Sequence, residues 1–480
     1  MGGPAEFSRR RRVLILAICC MSLLIMGLDT TIVNVALPSI RKELHASVAG
    51  LQWTIDAYTL VIASLLILAG STADRVGRRR VFQIGLVIFS LASLLCGLAG
   101  SLTLLVAFRV LQAVGGSMLN PVAMSIIRNV FEDPRERAMA IGIWGGVFGL
   151  SMALGPVVGG ALVTAASWRL VFFVNVPIGL LAIVLTAVYV PESRAAHPRR
   201  LDPVGQLLVI AGLATLTYAI IEGPRHGFLS GEILGLFAVS AACFGVLVPY
   251  ELRRTEPLLE LRFFRSAPFS GASAIAVLAF ASLGGFLFLN TLYLQDVRGL
   301  SPLHAGLYLL PMAGMLVVFA PLSGRMIGRV GSRPSLVLAA AALIISALML
   351  TRITPTTQTG YLLGSYFLAG IGTGLVNPPI TNTALSGMPS SQAGVASAIA
   401  ATSRQVGMTL GVALIGAIAG GAISSSIGPG FAAATHAAWW VIAGFGAAIL
   451  VLGILTTSRW ADRTAKRTAR YLGESEMAPA

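Results

Sequence analysis

Gly70-Ser71-Thr72-Ala73-Asp74-Arg75-Val76-Gly77-Arg78-Arg79-Arg80 packs one acid and four arginines between two long apolar runs. A second stretch, Gly324-Arg325-Met326-Ile327-Gly328-Arg329-Val330-Gly331-Ser332-Arg333, repeats its frame. In each, a glycine is followed five residues later by Arg-Val-Gly and then by another arginine. The copy lacks the acid, because Gly328 stands where Asp74 stands. A further echo follows each one: Leu111-Gln112-Ala113-Val114-Gly115-Gly116-Ser117-Met118-Leu119-Asn120-Pro121 matches Leu368-Ala369-Gly370-Ile371-Gly372-Thr373-Gly374-Leu375-Val376-Asn377-Pro378 in spacing. Two echoes in the same order make a duplicated chain, and duplicated halves are a hallmark of transporters.

The composition points the same way. Of 480 residues, 56% are hydrophobic and 11% charged. Soluble domains carry roughly 25% charged residues, so this is an all-α polytopic membrane protein. The net charge of +15 suggests nucleic acid at first sight, but most Lys and Arg fall in segments read as cytoplasmic. That is the positive-inside bias, and no nucleic-acid partner is expected. The four cysteines, Cys19, Cys20, Cys96 and Cys243, sit in apolar runs with neither metal nor disulfide spacing. No metal and no cofactor are expected. Arg9 to Arg12 precede an apolar run as in a signal peptide, but that run continues to Pro38, too long for one.

A spanning helix needs about 20 apolar residues. The chain offers fourteen such runs: 13–38, 51–73, 81–99, 102–127, 138–165, 169–190, 204–222, 231–250, 269–295, 303–324, 334–353, 360–387, 394–425 and 436–457. An even count keeps both termini on the cytoplasmic side of a cell membrane. The echoes place helices 2 and 4 opposite helices 10 and 12. The expected organisation is a six-helix bundle over 1–195, a linker with two inserted helices over 196–260, and a second six-helix bundle with its tail over 261–480. Both tails read as disordered.

Two acids lie well inside these helices, Asp29 and Asp56. A carboxylate in hydrocarbon is costly and by default functional. Asp29 lies roughly 25 Å past Arg12, Asp56 roughly 21 Å above Gly70, and Arg109 roughly 12 Å below Ser101, at 1.5 Å per residue. The three reach similar depth. Burial favours the neutral carboxyl and a neighbouring arginine favours the charged one, so such a site can take and release a proton. Held statically, either acid would instead simply pair with Arg109. In the fifth run, small residues four apart (Gly142/Gly146, Gly145/Gly149, Gly155/Gly159) allow close backbone approach, and Pro156 removes a helical hydrogen bond. Arg404 lies near mid-membrane with no acid close in sequence. Met26, Asn34, Trp53, Tyr58, Gln112, Phe286, Asn290, Tyr293 and Arg404 are candidates for a substrate cavity, or for core packing. The five histidines sit in loops or near helix ends, and no catalytic constellation is visible.

Together these motifs resemble the major facilitator superfamily, in its fourteen-helix drug:proton antiporter branch. Gly70 to Arg80, with Gly70, Asp74, Arg75, Gly77 and Arg78, looks like the signature of the loop between helices 2 and 3. Leu28 to Pro38 looks like the helix 1 motif. Arg109, Gln112, Gly115 and Gly116 resemble the helix 4 motif, whose arginine is linked to proton transfer. Gly149, Gly155, Pro156, Gly159 and Gly160 resemble the antiporter motif of helix 5. Trp168-Arg169 and Asn175-Val176-Pro177-Ile178-Gly179 also fit. One departure is that the C-terminal half has no deeply embedded acid, Asp296 being at a helix end.

The resemblance implies the major facilitator fold and a proton-driven antiporter exporting amphipathic small molecules by alternating access. Its energy source is the proton motive force, and its partners are a lipophilic or amphipathic substrate, protons and membrane lipid. It is read as a monomer and not as an enzyme. The alternative on the same fold is a proton-coupled metabolite symporter, which Gly155-Pro156 argues against. A membrane sensor would need a soluble signalling domain that the loops are too short to hold. The resemblance also places helix 2 against helix 13. There Asp74 is expected to meet the positive end of helix 13 near Ser390-Ser391-Gln392, paired with Arg75 or Arg128, as an inner gate.

Overall fold

The computed structural model describes residues 8–195, 201–254, 256–389, 392–421 and 430–477. Among them all regular structure is helical. Fourteen helices are long and apolar enough to cross a membrane: α1 Arg9–Leu44, α2 Val48–Val76, α3 Arg78–Gly97, α4 Leu102–Val130, α5 Arg135–Ala165, α6 Leu170–Tyr189, α7 Pro203–His226, α8 Gly231–Arg253, α9 Ala267–Val297, α10 Pro302–Val330, α11 Ser332–Leu350, α12 Thr359–Leu385, α13 Ala393–Gly420 and α14 Gly430–Thr456. Helices satisfy their own backbone within hydrocarbon, which is why apolar runs of this length adopt them.

Several helices overrun the apolar stretches because polar caps extend them. Ser8, Ser47, Ser101 and Ser230 each accept a backbone N–H three residues on. The motif between α2 and α3 is thus mostly helix. Only Gly77 interrupts it, at φ +130°, where an L side chain is strained. A Cβ there would also strike the Glu192 carboxylate, which accepts Arg79 N. The C-terminal tail, expected to be disordered, is a helix: α15, Arg459–Met477. It buries Ala461, Ala465 and Leu472 against the bundle and turns Arg459, Arg463, Lys466, Arg467 and Arg470 outward. Too few apolar residues on one narrow face hid it from a search for spanning runs.

Helices α1–α6 form one group and α9–α14 the other, while α7 and α8 pack on each other and, through α7, on α2 and α13. Small residues set the close crossings. A Cβ on Gly115 would overlap the backbone of α3 at Phe89, and one on Gly411 that of α9 at Ala281. Fourteen spans return the chain to the end where it began, here the termini end. At the far end the two groups close on each other. Gln295 Nε2 donates to Val35 O at 2.9 Å and Arg41 pairs with Asp296 at 3.4 Å. Pro302 lies against Gly160, and Gly306 against Pro156. Toward the termini end α5 and α10 diverge, and the Cβ positions of Gly142, Gly145, Gly146, Gly324 and Gly328 meet nothing within 4 Å.

Candidate functional site

The N-terminal group is built around one buried charge pair. Arg109 enters from α4 and its Nη1 donates to Asp29 Oδ2 of α1 at 2.5 Å and to Gln112 Oε1 at 2.7 Å. Its Nε donates to Thr54 O of α2 at 3.1 Å, and the guanidinium lies 4.1 Å from the centroid of the Tyr58 ring. Asp29 Oδ1 accepts from Gln112 Nε2 at 2.9 Å and from Asn175 Nδ2 of α6 at 3.2 Å. Ser93 of α3 ties the amides together, accepting from Gln112 at 2.6 Å and Asn175 at 3.3 Å. Both partners are about 1% exposed or less. A planar fork, a carboxylate and two amides thus meet with both Asp29 oxygens occupied, the condition for a buried pair to be tolerated. Asn175 and Ser93 carried no assigned role in the sequence reading. The signal available was a polar residue within an otherwise apolar run.

Asp56 is separate. It is fully buried in α2, and its one hydrogen bond is from Thr59 Oγ1 to Oδ1 at 3.4 Å. Its Oδ2 has no partner. Thr59 in turn meets Thr409 Oγ1 of α13 at 2.9 Å. A chain of hydroxyls therefore runs from Asp56 across the seam between the two helix groups. Close by, Gln52 Nε2 donates to Val412 O and Ala413 O across the same seam, at 3.1 and 2.8 Å.

The motif of α5 packs against α1. Pro156 has no N–H for Met152 O, four residues back, and Thr31 Oγ1 donates to that carbonyl instead at 3.2 Å. Gly155 and Gly159 admit Thr31 and Ile32 at distances a Cβ would forbid. Gly149 faces α10 more loosely, with Leu316 3.8 Å from its Cβ position. Close approach at Gly142, Gly145 and Gly146, expected from spacing, does not occur in this state.

Between the groups lies a cavity of about 380 Å³ whose walls include Thr31, Met152, Pro156, Leu287, Met312 and Leu316. A second, of about 310 Å³, lies within the C-terminal group against Phe286, Thr373 and Trp439 and shares Leu283 and Met312 with the first. Neither is lined by a charged residue. Of the candidate cavity residues, only Phe286 lines either space. Trp53 instead donates to Glu222 of α7 at 3.1 Å, and Met26 is packed in the N-terminal core. Tyr58 and Gln112 serve the Arg109 cluster. Asn34 is turned to its own helix, with Nδ2 bonded to Thr30 O and Thr31 O. Asn290 accepts from Tyr366 at 2.6 Å and Tyr293 donates to Thr354 O at 2.6 Å. Polar tips in an apolar interior find the nearest partner, and sequence distance does not reveal which. Arg404 bonds Asn377 Oδ1 at 3.0 Å and Thr381 Oγ1, both on α12, and has no carboxylate partner among the described residues.

At the termini end, Asp74 pairs with Arg78, one turn on, at 2.9 Å, rather than with Arg75 or Arg128. The bend at Gly77 decides it, by turning the first residue of α3 back toward the last turn of α2. Arg128 lies beside Gly394 in the first turn of α13, while Ser390 and Ser391 lie outside the described residues. Two acids were overlooked inside the inserted helices, Glu222 and Glu251. Each is near a helix end, so the apolar-run criterion passed over it.

Residues 19–412 match the family model described as Major Facilitator Superfamily. The Tetracenomycin C resistance and export protein of Streptomyces glaucescens is 38% identical over 417 residues, 86% of this chain and 77% of its own. The Multidrug resistance protein Stp of Mycobacterium tuberculosis is 35% identical over 420 residues, 88% of this chain and 78% of its own. Among solved structures, the peptide transporter POT in complex with sulfate superposes with a TM-score of 0.66 at 16% identity, covering 98% of this chain and 96% of its own. A bacterial homologue of the human lysosomal transporter Spinster, inward-facing and unoccupied, gives 0.61 at 19%, covering 99% and 100%. The duplicated motifs, the fourteen spans and these likenesses agree: the chain belongs to the major facilitator superfamily.

Proposed function

We propose that this multi-pass membrane protein is a proton-driven antiporter that exports lipophilic or amphipathic small molecules, drugs and antibiotics among them. Its two helix groups alternate access to the central cavity, and both termini face the cytoplasm. The names of its relatives support the export of toxic compounds. The charge-free cavity walls suit an apolar substrate body.

The observation that carries the proton reading is Asp56, a buried carboxyl group with one unpartnered oxygen at the head of the Asp56–Thr59–Thr409 chain. Ionised, Asp56 accepts from Thr59. Protonated, it becomes a donor, and the polarity of the chain across the α2–α13 seam reverses. Seam strength is thereby tied to one proton. The Asp29–Arg109 cluster holds α1, α2, α4 and α6 as a rigid frame behind it. Each proton moving inward supplies about 2.3 kcal/mol per 100 mV.

The test is growth protection of cells expressing the protein, against a panel of toxic lipophilic compounds, with and without a protonophore. Protection that vanishes with the protonophore, and in Asp56→Asn, is expected. Protection that survives the protonophore would overturn proton drive.

A further inference from the structure

At the termini end of the inserted hairpin, α7 begins and α8 ends on a pair of buried acids. Asp202, 3% exposed, caps α7: its Oδ1 accepts from Gly205 N at 3.0 Å and from Tyr250 Oη at 2.9 Å. Arg254 Nη2 stands 3.6 Å from the same oxygen. Glu251, 2% exposed, accepts from Leu259 N through Oε2 at 3.4 Å. The other two oxygens, Asp202 Oδ2 and Glu251 Oε1, have no partner among the described residues. Both stand within 3 Å of the point where a Cβ of residue 205 would be. Glycine there leaves the gap in which they face each other.

Two buried carboxylates so placed cannot both be ionised, because each charge disfavours the other and neither orphan oxygen has a donor. We propose that Asp202 and Glu251 share one proton. Asp202 carries the negative charge, which the α7 N-terminus, Tyr250 and Arg254 stabilise. Glu251 carries the proton on Oε1 and donates it to Asp202 Oδ2, so one proton satisfies both orphan atoms. A metal ion fits poorly: a hard cation such as Ca²⁺ takes six to eight oxygens, and only two orphan oxygens converge here.

Among the described residues, the charged and titratable groups facing the pair are Arg254 and Tyr250. Its other neighbours bring backbone and apolar atoms: Leu259 N, and the hairpin's contact with Leu60 of α2 and Val406 of α13. Gln206, in the first turn of α7, donates to Ser64 O of α2 at 2.6 Å. The helix that the pair caps is therefore tied to the helix that carries Asp56, outside the α2–α13 seam. It is a proton site of the insert itself, distinct from the one proposed at Asp56.

The experiment uses the whole protein in lipid nanodiscs. Infrared difference spectra of wild type against Glu251→Gln at neutral pH should show one protonated-carboxyl band lost, shifted in heavy water. Apparent melting should fall as pH rises from the ordinary carboxylate range to neutrality, because over that window the folded state holds the proton and the unfolded state does not. The folding constant then changes up to tenfold per pH unit across the titration. Glu251→Gln should flatten that fall, and Asp202→Asn, which removes the facing charge, should flatten it too. An unchanged band and an unchanged pH slope in Glu251→Gln would overturn the proposal. So would a wild-type protein that loses stability at fixed pH when sodium is replaced by choline, since the site would then hold a metal ion.

Discussion

Asp29 and Asp56 look alike in the sequence, each a lone acid in an apolar run, yet the structure gives them opposite surroundings. Asp29 is held by Arg109, Gln112 and Asn175, with no oxygen left over. Asp56 has a single weak donor and an oxygen without a partner among the described residues. Both Asp29 oxygens are claimed, by one cation and two amides. In the proposed mechanism it is therefore the donors around each carboxyl group, not burial, that set Asp56 apart from Asp29.

Removing one side of the Asp29 pair should have the largest effect. Asp29→Ala leaves the Arg109 guanidinium buried and uncompensated, a loss of about 3–5 kcal/mol. It should appear as poor yield and a strongly lowered melting temperature, and Asp29→Asn should share much of it. If Asp29→Asn melts like wild type, the contrast between the two acids collapses.

Arg109→Lys should come next. A point charge keeps Asp29 but cannot reach Gln112 Oε1 and Thr54 O at once. A loss of about 1.5–3 kcal/mol is expected for hydrogen bonds to a charged group, read by denaturation in detergent.

Asp56→Asn should do the reverse of Asp29→Asn. Stability should fall less than in Asp29→Asn, because the amide oxygen still accepts from Thr59 and no buried cation loses its partner. Substrate-driven proton flux in proteoliposomes should fall at least tenfold. Normal flux would return the coupling site to the Arg109 cluster.

The smallest effect tests the packing of α1 on α5 within the N-terminal group. Thr31→Val removes the donor to Met152 O that Pro156 leaves unserved. A net loss of about 1 kcal/mol is expected for one neutral hydrogen bond. Thr31→Ser, which keeps the donor, should recover most of it.

Much of this was legible from the chain alone. Hydropathy gave fourteen spans because lipid admits only long apolar helices, and the two ordered echoes identified the duplication. The pairing of Arg109 with an acid was legible too, since a cation at that depth needs one. What misled was the choice of close partners elsewhere. Asp74 turned to Arg78, Trp53 to Glu222, and Tyr58 to Arg109. The amphipathic tail helix and the Asp202–Glu251 pair escaped because both depend on a neighbouring surface, not on a run of residues.

The sequence by itself determined the number of helices, their order, and the few polar groups that must be buried. These follow from composition and period, which act locally along the chain. Only the tertiary structure decided which carboxylate meets Arg109 and which is left with an orphan oxygen. A span of helix fixes a residue's depth to a few ångströms but leaves its bearing around the axis to packing. The hydrogen bonds that separate a scaffold from a proton site are made or lost within about one ångström.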